Sequence, residues 1–269
     1  MRNPLIVLAL IVAAFGAVLF MPPLTSAGQA RGANAQGPAY TPPKTAFGHP
    51  DLQGIWQVLD HSAAYNIEPH TAIFGVPAGQ GVIVDPPHGM IPYLPGAVAK
   101  RQENFRNRLS QDPLNKCYKP GVPRITYMHF PFQILQTPQF VTFVYEYIHN
   151  TRTVYLNRKT HLEGLDFWNG DSIGRWEGNT LVVDVADFND QTWFDASGNY
   201  HSEALHVEER YTRSDPDTIT YEVSITDPKV FSRPWKMSML LYRHKEKNFR
   251  ILEYECHAYA EDAAKEQSR

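Results

Sequence analysis

Cysteine is scarce in this chain: two residues in 269, Cys117 and Cys256. Far apart and outside any Cys-x-x-Cys pair, they make neither a self-sufficient zinc site nor a dithiol redox motif. Charge of one sign is scarce too, with 25 Lys and Arg against 28 Asp and Glu and a formal net charge of -3. No basic run or aromatic-interleaved basic patch occurs, so the electrostatic footprint of a nucleic-acid binder is missing. Missing as well are a G-x-S-x-G elbow, a phosphate-cradling Gly-rich loop, a dinucleotide fingerprint and the helical H-E-x-x-H motif. Serine nucleophiles, nucleotides and cofactors are therefore not expected.

The one long apolar run stands at the start. "MRNPLIVLALIVAAFGAVLFMPPLTSA" carries a basic residue, an apolar stretch, a Pro-Pro break and then small residues. That is the pattern of a secretory signal, cleaved after Ala27 or as late as Ala35. Its removal would leave no stable membrane anchor and a periplasmic or secreted protein. In such an oxidising compartment Cys117 and Cys256 are expected to pair, closing a loop of about 139 residues.

Residues 28–50 are Pro-rich without periodicity and read as an extended arm, and residues 51–260 as one domain. Inside that domain lie a Pro-rich excursion over 60–95 and one helix over 96–109, "GAVAKRQENFRNRL", with Val98, Phe105 and Leu109 on one face. Residues 261–269 read as a polar tail. From residue 132 onward β-formers dominate: "FQILQT", "FVTFVYEYI", "RTVYLNR", "RWEGNTLVVDV" with a Gly178-Asn179 turn, "ALHVEERYTR" and "TITYEVSIT". "KMSMLLYRH" and "FRILEYECH" read as a last hairpin around Lys247-Asn248. With "GIWQVL" these segments give an all-β fold, an antiparallel up-and-down, lipocalin-like barrel of about 8 to 10 strands, because closure removes the edges of so many successive hairpins.

"GIW" at 54–56 resembles the Gly-x-Trp mark of lipocalins and related calycin barrels. "PDLQGIW", "VIVDPPHGMIPY", "CYKPGVPR", "SIGRWEGNTLVVDVADFNDQTWFD" and "HSEALHVEERY" together resemble a largely uncharacterised family of exported bacterial proteins, over most of the mature chain. The resemblance implies export and a single β-rich barrel, and it carries no activity with it. The chain departs from the pattern at "DPPHG", where His88 stands in place of an acidic residue.

The segment "HSEALHVEERY", residues 201–211, concentrates titratable groups. A metal reading takes His201, Glu203 and His206 as ligands, although strand alternation sets 206 opposite 201 and 203. If Leu205, Val207 and Tyr211 face the interior, so does Glu209, which then needs an Arg, Tyr or His partner, while His206, Glu208 and Arg210 face out. In the opposite phase His206 and Arg210 line a polar lumen with Thr220 and Glu222. Glu146, between Tyr145 and Tyr147, is either a desolvated acid or an outer-face carboxylate paired with Arg152 or Arg158. Asn189, Asp190 and Trp193 in one loop, Tyr127 and His129 in "TYMHFPF", and Tyr145 supply polar groups among aromatics, as a small-molecule site requires.

The expectation is a barrel pocket for an apolar or aromatic small molecule, performing cofactor-free isomerisation, elimination or cyclisation. His201 or His206 would act as base, Glu209 or Glu146 as acid, and Arg210 or Tyr211 would stabilise developing charge. A non-catalytic carrier and a metal-assisted hydrolase or oxygenase at His201, Glu203 and His206 are the alternatives.

Overall fold

Alternation of apolar and polar residues decides the sheet. In the computed structural model, which describes residues 40–72 and 76–267, the strands are β1 (Gly54–Val58), β2 (Ile83–Asp85), β3 (Phe132–Gln136), β4 (Phe140–Tyr145), β5 (Thr151–Tyr155), β6 (Asp171–Glu177), β7 (Thr180–Ala186), β8 (His206–Asp215), β9 (Thr218–Thr226) and β10 (Trp235–Arg243). Their order is β1-β3-β4-β5-β6-β7-β8-β9-β10, and β1 returns to pair with β10 through Trp56↔Arg243, Gln57↔Tyr242 and Val58↔Leu241. Nine strands thus close the expected barrel, and β2 is an extra strand on β10.

On β9 the residues Ile219, Tyr221, Val223 and Ile225 point inward. The register Val207↔Ile225, Glu209↔Val223 and Tyr211↔Tyr221 sets Val207, Glu209 and Tyr211 on the same face of β8. Trp56, Phe132, Phe143, Tyr145, Tyr211, Tyr221 and Trp235 are each at most 2% exposed, so large side chains fill the interior as a packed core. The joints between neighbouring barrel strands are antiparallel except one. β5 and β6 run parallel and meet at a single pair, Tyr155↔Ile173, after the connection 156–170. This joint is the seam of the barrel.

The helices differ from the sequence expectation. Residues 96–109 divide into α1 (Pro95–Arg106) and α2 (Arg108–Gln111), and the apolar stripe is too thin to bury: Val98 is 38% and Leu109 83% exposed. Phe105 lies instead between the guanidinium groups of Arg101 and Arg108. α1 is fixed by Asn104, which donates to the Gly198 carbonyl at 3.2 Å. Gly198 sits at φ +82°, and a Cβ there would come within 2.6 Å of the Asn104 Cβ.

The final hairpin does not form. β10 ends at Arg243, residues 244–255 touch the barrel through a Tyr147↔Tyr254 bridge, and α3 (Cys256–Gln267) takes up the expected last strand end and most of the polar tail. Ala, Glu and Lys make this tail a strong helix former, and the Cys117–Cys256 disulfide, with a Cα separation of 5.5 Å, anchors its first residue. Such a bond fits a non-cytoplasmic compartment. The signal segment and both cleavage points lie outside the described residues. The described part of the arm turns back on itself rather than extending, with Thr45 N–H donating to the His49 carbonyl at 2.8 Å and Lys44 bridging to Pro50.

Replacing Cys256 with Ser is expected to remove at most about 4–5 kcal/mol of unfolding free energy, the chain-entropy ceiling for so long a loop. Hydrogen exchange should then show α3 released while the barrel amides stay protected.

Candidate functional site at the barrel seam

Strand alternation carries Glu209, 0% exposed, into an aromatic core, where a carboxylate must be paired. The partner is Arg152, which alternation on β5 also turns inward. Its Nη2 donates to Glu209 Oε2, while the hydroxyls of Tyr211 and Tyr221 donate to Glu209 Oε1 at 2.9 and 2.6 Å. Arg152 Nε donates to Ser172 Oγ of β6 at 2.9 Å. Burial works against the Arg152 charge, but Glu209 together with Tyr145 and Tyr211 outweighs it and holds the guanidinium pKa above its ordinary value. Burial also pushes Tyr211 and Tyr221 well above the phenol range, reinforced by Glu209, and pushes Tyr145 up to about 12. Among the described residues Arg152 Nη1 and the Tyr145 hydroxyl complete no hydrogen bond of good geometry, although the Arg152 side chain stands close enough to Tyr145 to favour its ionised form.

Arg152 and Ser172 also line a cavity of about 410 Å³ at the seam, walled by Tyr155, Phe167 and Trp168 and rimmed by Lys119 and Arg158. The barrel wall opens here because β5 and β6 share only one paired position. Asn169 lines the same cavity and donates to Asn150 Oδ1 at 3.1 Å, which leaves Asn169 Oδ1 and Asn150 Nδ2 without partners. Arg152, Asn150 and Asn169 are only 4%, 2% and 8% exposed, and buried polar atoms left unpaired are costly. Of these, Arg152 and Asn169 line the cavity, where a ligand offering an acceptor oxygen and a donor would relieve them, and the volume suits a small molecule.

Beside the cavity runs a chain of charged groups. Arg158 grips both Asp171 oxygens, at 3.0 and 2.6 Å. His161 bridges Asp171 and Asp184 at 3.1 Å to each, and His206 donates to Asp184 at 2.7 Å. Asp187 stands at the end of β7 with φ +58°, its Oδ2 buried without a partner and its carboxyl pKa raised by burial. Its backbone carbonyl accepts from the N–H of Phe167, a pocket wall, at 2.8 Å. His161, Asp171 and Asp187 bring possible metal-ligand atoms within 4.8 Å of one another. Arg158 already engages both oxygens of Asp171, however, so the cluster is balanced as an ion-pair network.

The residues singled out in the sequence divide. Glu209, Tyr211 and Tyr145 converge with Arg152 in the barrel. His201, 1% exposed, donates from Nδ1 to the Ser202 carbonyl (2.8 Å) and accepts at Nε2 from the Thr192 hydroxyl (2.6 Å). Burial lowers its pKa, and it braces Thr192, against which Gly121 packs with no room for a Cβ. Glu203 is exposed and paired with Lys229, so His201, Glu203 and His206 do not come together. His206 and Arg210 face outward, Arg210 pairing with Glu177 at 2.9 Å. Glu146 also lies outside and accepts from the Leu252 N–H at 2.9 Å; it pairs with neither Arg152 nor Arg158. Tyr127 donates to the Phe194 carbonyl at 2.7 Å, His129 is exposed beside His61 and Tyr65, and Asn189 accepts from the Gln191 N–H at 3.2 Å. Asp190 and Trp193 border a different groove. Sequence reading did not single out Ser172, Asn169, Trp168 and Asp187 as site residues, although Ser172 and Asp187 lie in the quoted segment 172–195, and the Glu146 pairing with Arg152 that it offered as one alternative does not form.

No protein-family model matches the chain, and no curated protein is similar to it.

Removing one member of the buried pair strands the other. Glu209→Gln is expected to cost about 3–5 kcal/mol, whereas the double change Arg152→Met with Glu209→Leu should recover most of that; urea unfolding of the three proteins checks it. The outer chain yields a pH prediction. The Asp184 hydrogen bond raises His206 above 6.5, and the His206 hydrogen bond lowers Asp184 below 3.8. The His206 contribution is full below 6.5 and fades as pH rises through its raised pKa, and that of Asp184 is full above 3.8 and fades as pH falls through its lowered one. Because His206 is 48% exposed, His206→Gln should cost less than about 1 kcal/mol. That cost should peak between those two ordinary values and disappear in alkali, as thermal melts across pH would show.

Proposed function

We propose that this protein is an exported barrel, periplasmic or secreted, that binds an aromatic small molecule bearing a carbonyl or carboxylate oxygen in the seam pocket. The observation that carries this reading is Arg152. Its guanidinium is committed to Glu209 through Nη2 and to Ser172 through Nε, while its buried Nη1, beside the Tyr145 hydroxyl, completes no hydrogen bond of good geometry on a side chain that lines the pocket. An acceptor oxygen satisfies that donor, and Tyr155, Phe167 and Trp168 supply apolar contact. Glu209 sits behind Arg152 with no exposure of its own, so it positions the guanidinium rather than touching the ligand. A carrier needs no more than this.

A second reading, proton-transfer catalysis on the same ligand, is favoured by Asp187. Its carboxyl has a raised pKa and a buried, unpartnered oxygen, and it lies beside Asp171, which lines the pocket, without lining it itself. A ligand reaching past Asp171 would give the proton of the carbon beside its carbonyl to Asp187, and Arg152 would stabilise the resulting oxyanion.

Mass spectrometry of small molecules released from the purified protein tests the binding reading. An aromatic acid or carbonyl compound is expected, reduced at least about tenfold in the Arg152→Met, Glu209→Leu double variant, as befits loss of a charge-assisted hydrogen bond. A folded double variant that retains the compound in full would refute it. Asp187→Asn separates the two readings: binding kept with conversion lost identifies an enzyme, and a ligand recovered unchanged by both proteins identifies a carrier.

A further inference from the structure

A second recognition surface lies between α1 and the loop 190–193, an open groove of about 570 Å³ that shares no lining residue with the seam pocket. Its walls are preformed, because the Asn104–Gly198 contact locks α1 against the segment that follows the loop. Lys100, Glu103 and Asn107 enter it from α1, Lys116 from beyond α2, and Asp190 and Trp193 from the loop. Two lysines and two carboxylates line the groove, the Lys100 ammonium over the Tyr200 ring at 4.6 Å and Lys116 donating to Gln111 at 3.4 Å, so the groove holds no net charge that would select an ion. The side chains of Glu103, Asn107 and Asp190 make no hydrogen bond among the described residues, and Trp193 is only partly buried. The groove therefore offers free donors and acceptors beside an aromatic ring.

We propose that this groove binds a neutral saccharide. A hydroxyl both donates and accepts, so a polyhydroxylated ring serves the ammonium, amide and carboxylate groups at once, while its C–H face lies on the Trp193 indole. An anionic or cationic ligand would meet one like-charged pair, and an apolar one would leave every polar group unserved. Tyr118, at the groove's edge, packs on Trp168 of the seam pocket with ring centroids 5.1 Å apart. The two sites are therefore neighbours with separate machinery.

Saturation-transfer NMR with cellohexaose, maltohexaose and chitohexaose tests the proposal. Transfer to at least one is expected, weakened about fivefold or more by Asn107→Ala, an exposed change that leaves the fold alone, and by Trp193→Ala. It should persist in the Arg152→Met, Glu209→Leu double variant, which replaces the buried pair and leaves every groove residue in place. Absence of transfer to all three, transfer indifferent to both groove variants, or transfer abolished by the double variant would each overturn it.

Discussion

The buried ion pair between Arg152 and Glu209 is the interaction on which the rest of this barrel depends. Two opposite charges taken out of water are stable only when their remaining hydrogen-bonding capacity is met. Glu209 meets its own through Tyr211 and Tyr221, which lie directly opposite each other on β8 and β9. Arg152 meets its own only in part, through Ser172 across the seam. The pair therefore ties β5, β6, β8 and β9 together through the core, and its one unmet donor belongs to a residue that reaches the only parallel joint between barrel strands.

That joint explains why a packed barrel can still hold a pocket. Aromatic side chains fill much of the interior among the described residues, and the cavity that Arg152 lines lies at the seam. A single paired position between β5 and β6 leaves a gap in the wall, and the connection 156–170 furnishes it with Phe167 and Trp168 on one side and with His161 on the charged flank. The backbone of Phe167 is tied to that of Asp187, which holds a left-handed conformation that costs energy in most residues and that Asp tolerates better than most. Aromatic wall, buried guanidinium and raised carboxyl are thus set by three contiguous pieces of backbone.

Much of the barrel was legible because its strands alternate. "TITYEVSIT" names its own inward face, Gly178-Asn179 names its hairpin, and the inward phase of Val207 and Tyr211 requires an inward Glu209 with an Arg or Tyr partner. What alternation cannot supply is which strand stands across the barrel, and the partner of Glu209 comes from 57 residues away. The titratable cluster at 201–211 misled for the same reason: His201 turns into a loop core, His206 into an outer ion pair, and only Glu209 and Tyr211 meet. The C-terminal segment "FRILEYECH" reads as a strand, whereas the disulfide and the Ala- and Glu-rich tail make its end a helix. Asp187 has no pattern around it, since a positive φ and an unpartnered oxygen are products of tertiary packing.

The central claim is that Arg152 Nη1 is kept free for a ligand oxygen at the seam. A high-resolution crystal structure of the protein as purified tests this most directly. The account predicts density for a bound molecule between Phe167 and Trp168, with an oxygen within hydrogen-bonding distance of Arg152 Nη1. Nη1 donating to the Tyr145 hydroxyl, with only solvent in the seam pocket, would contradict it.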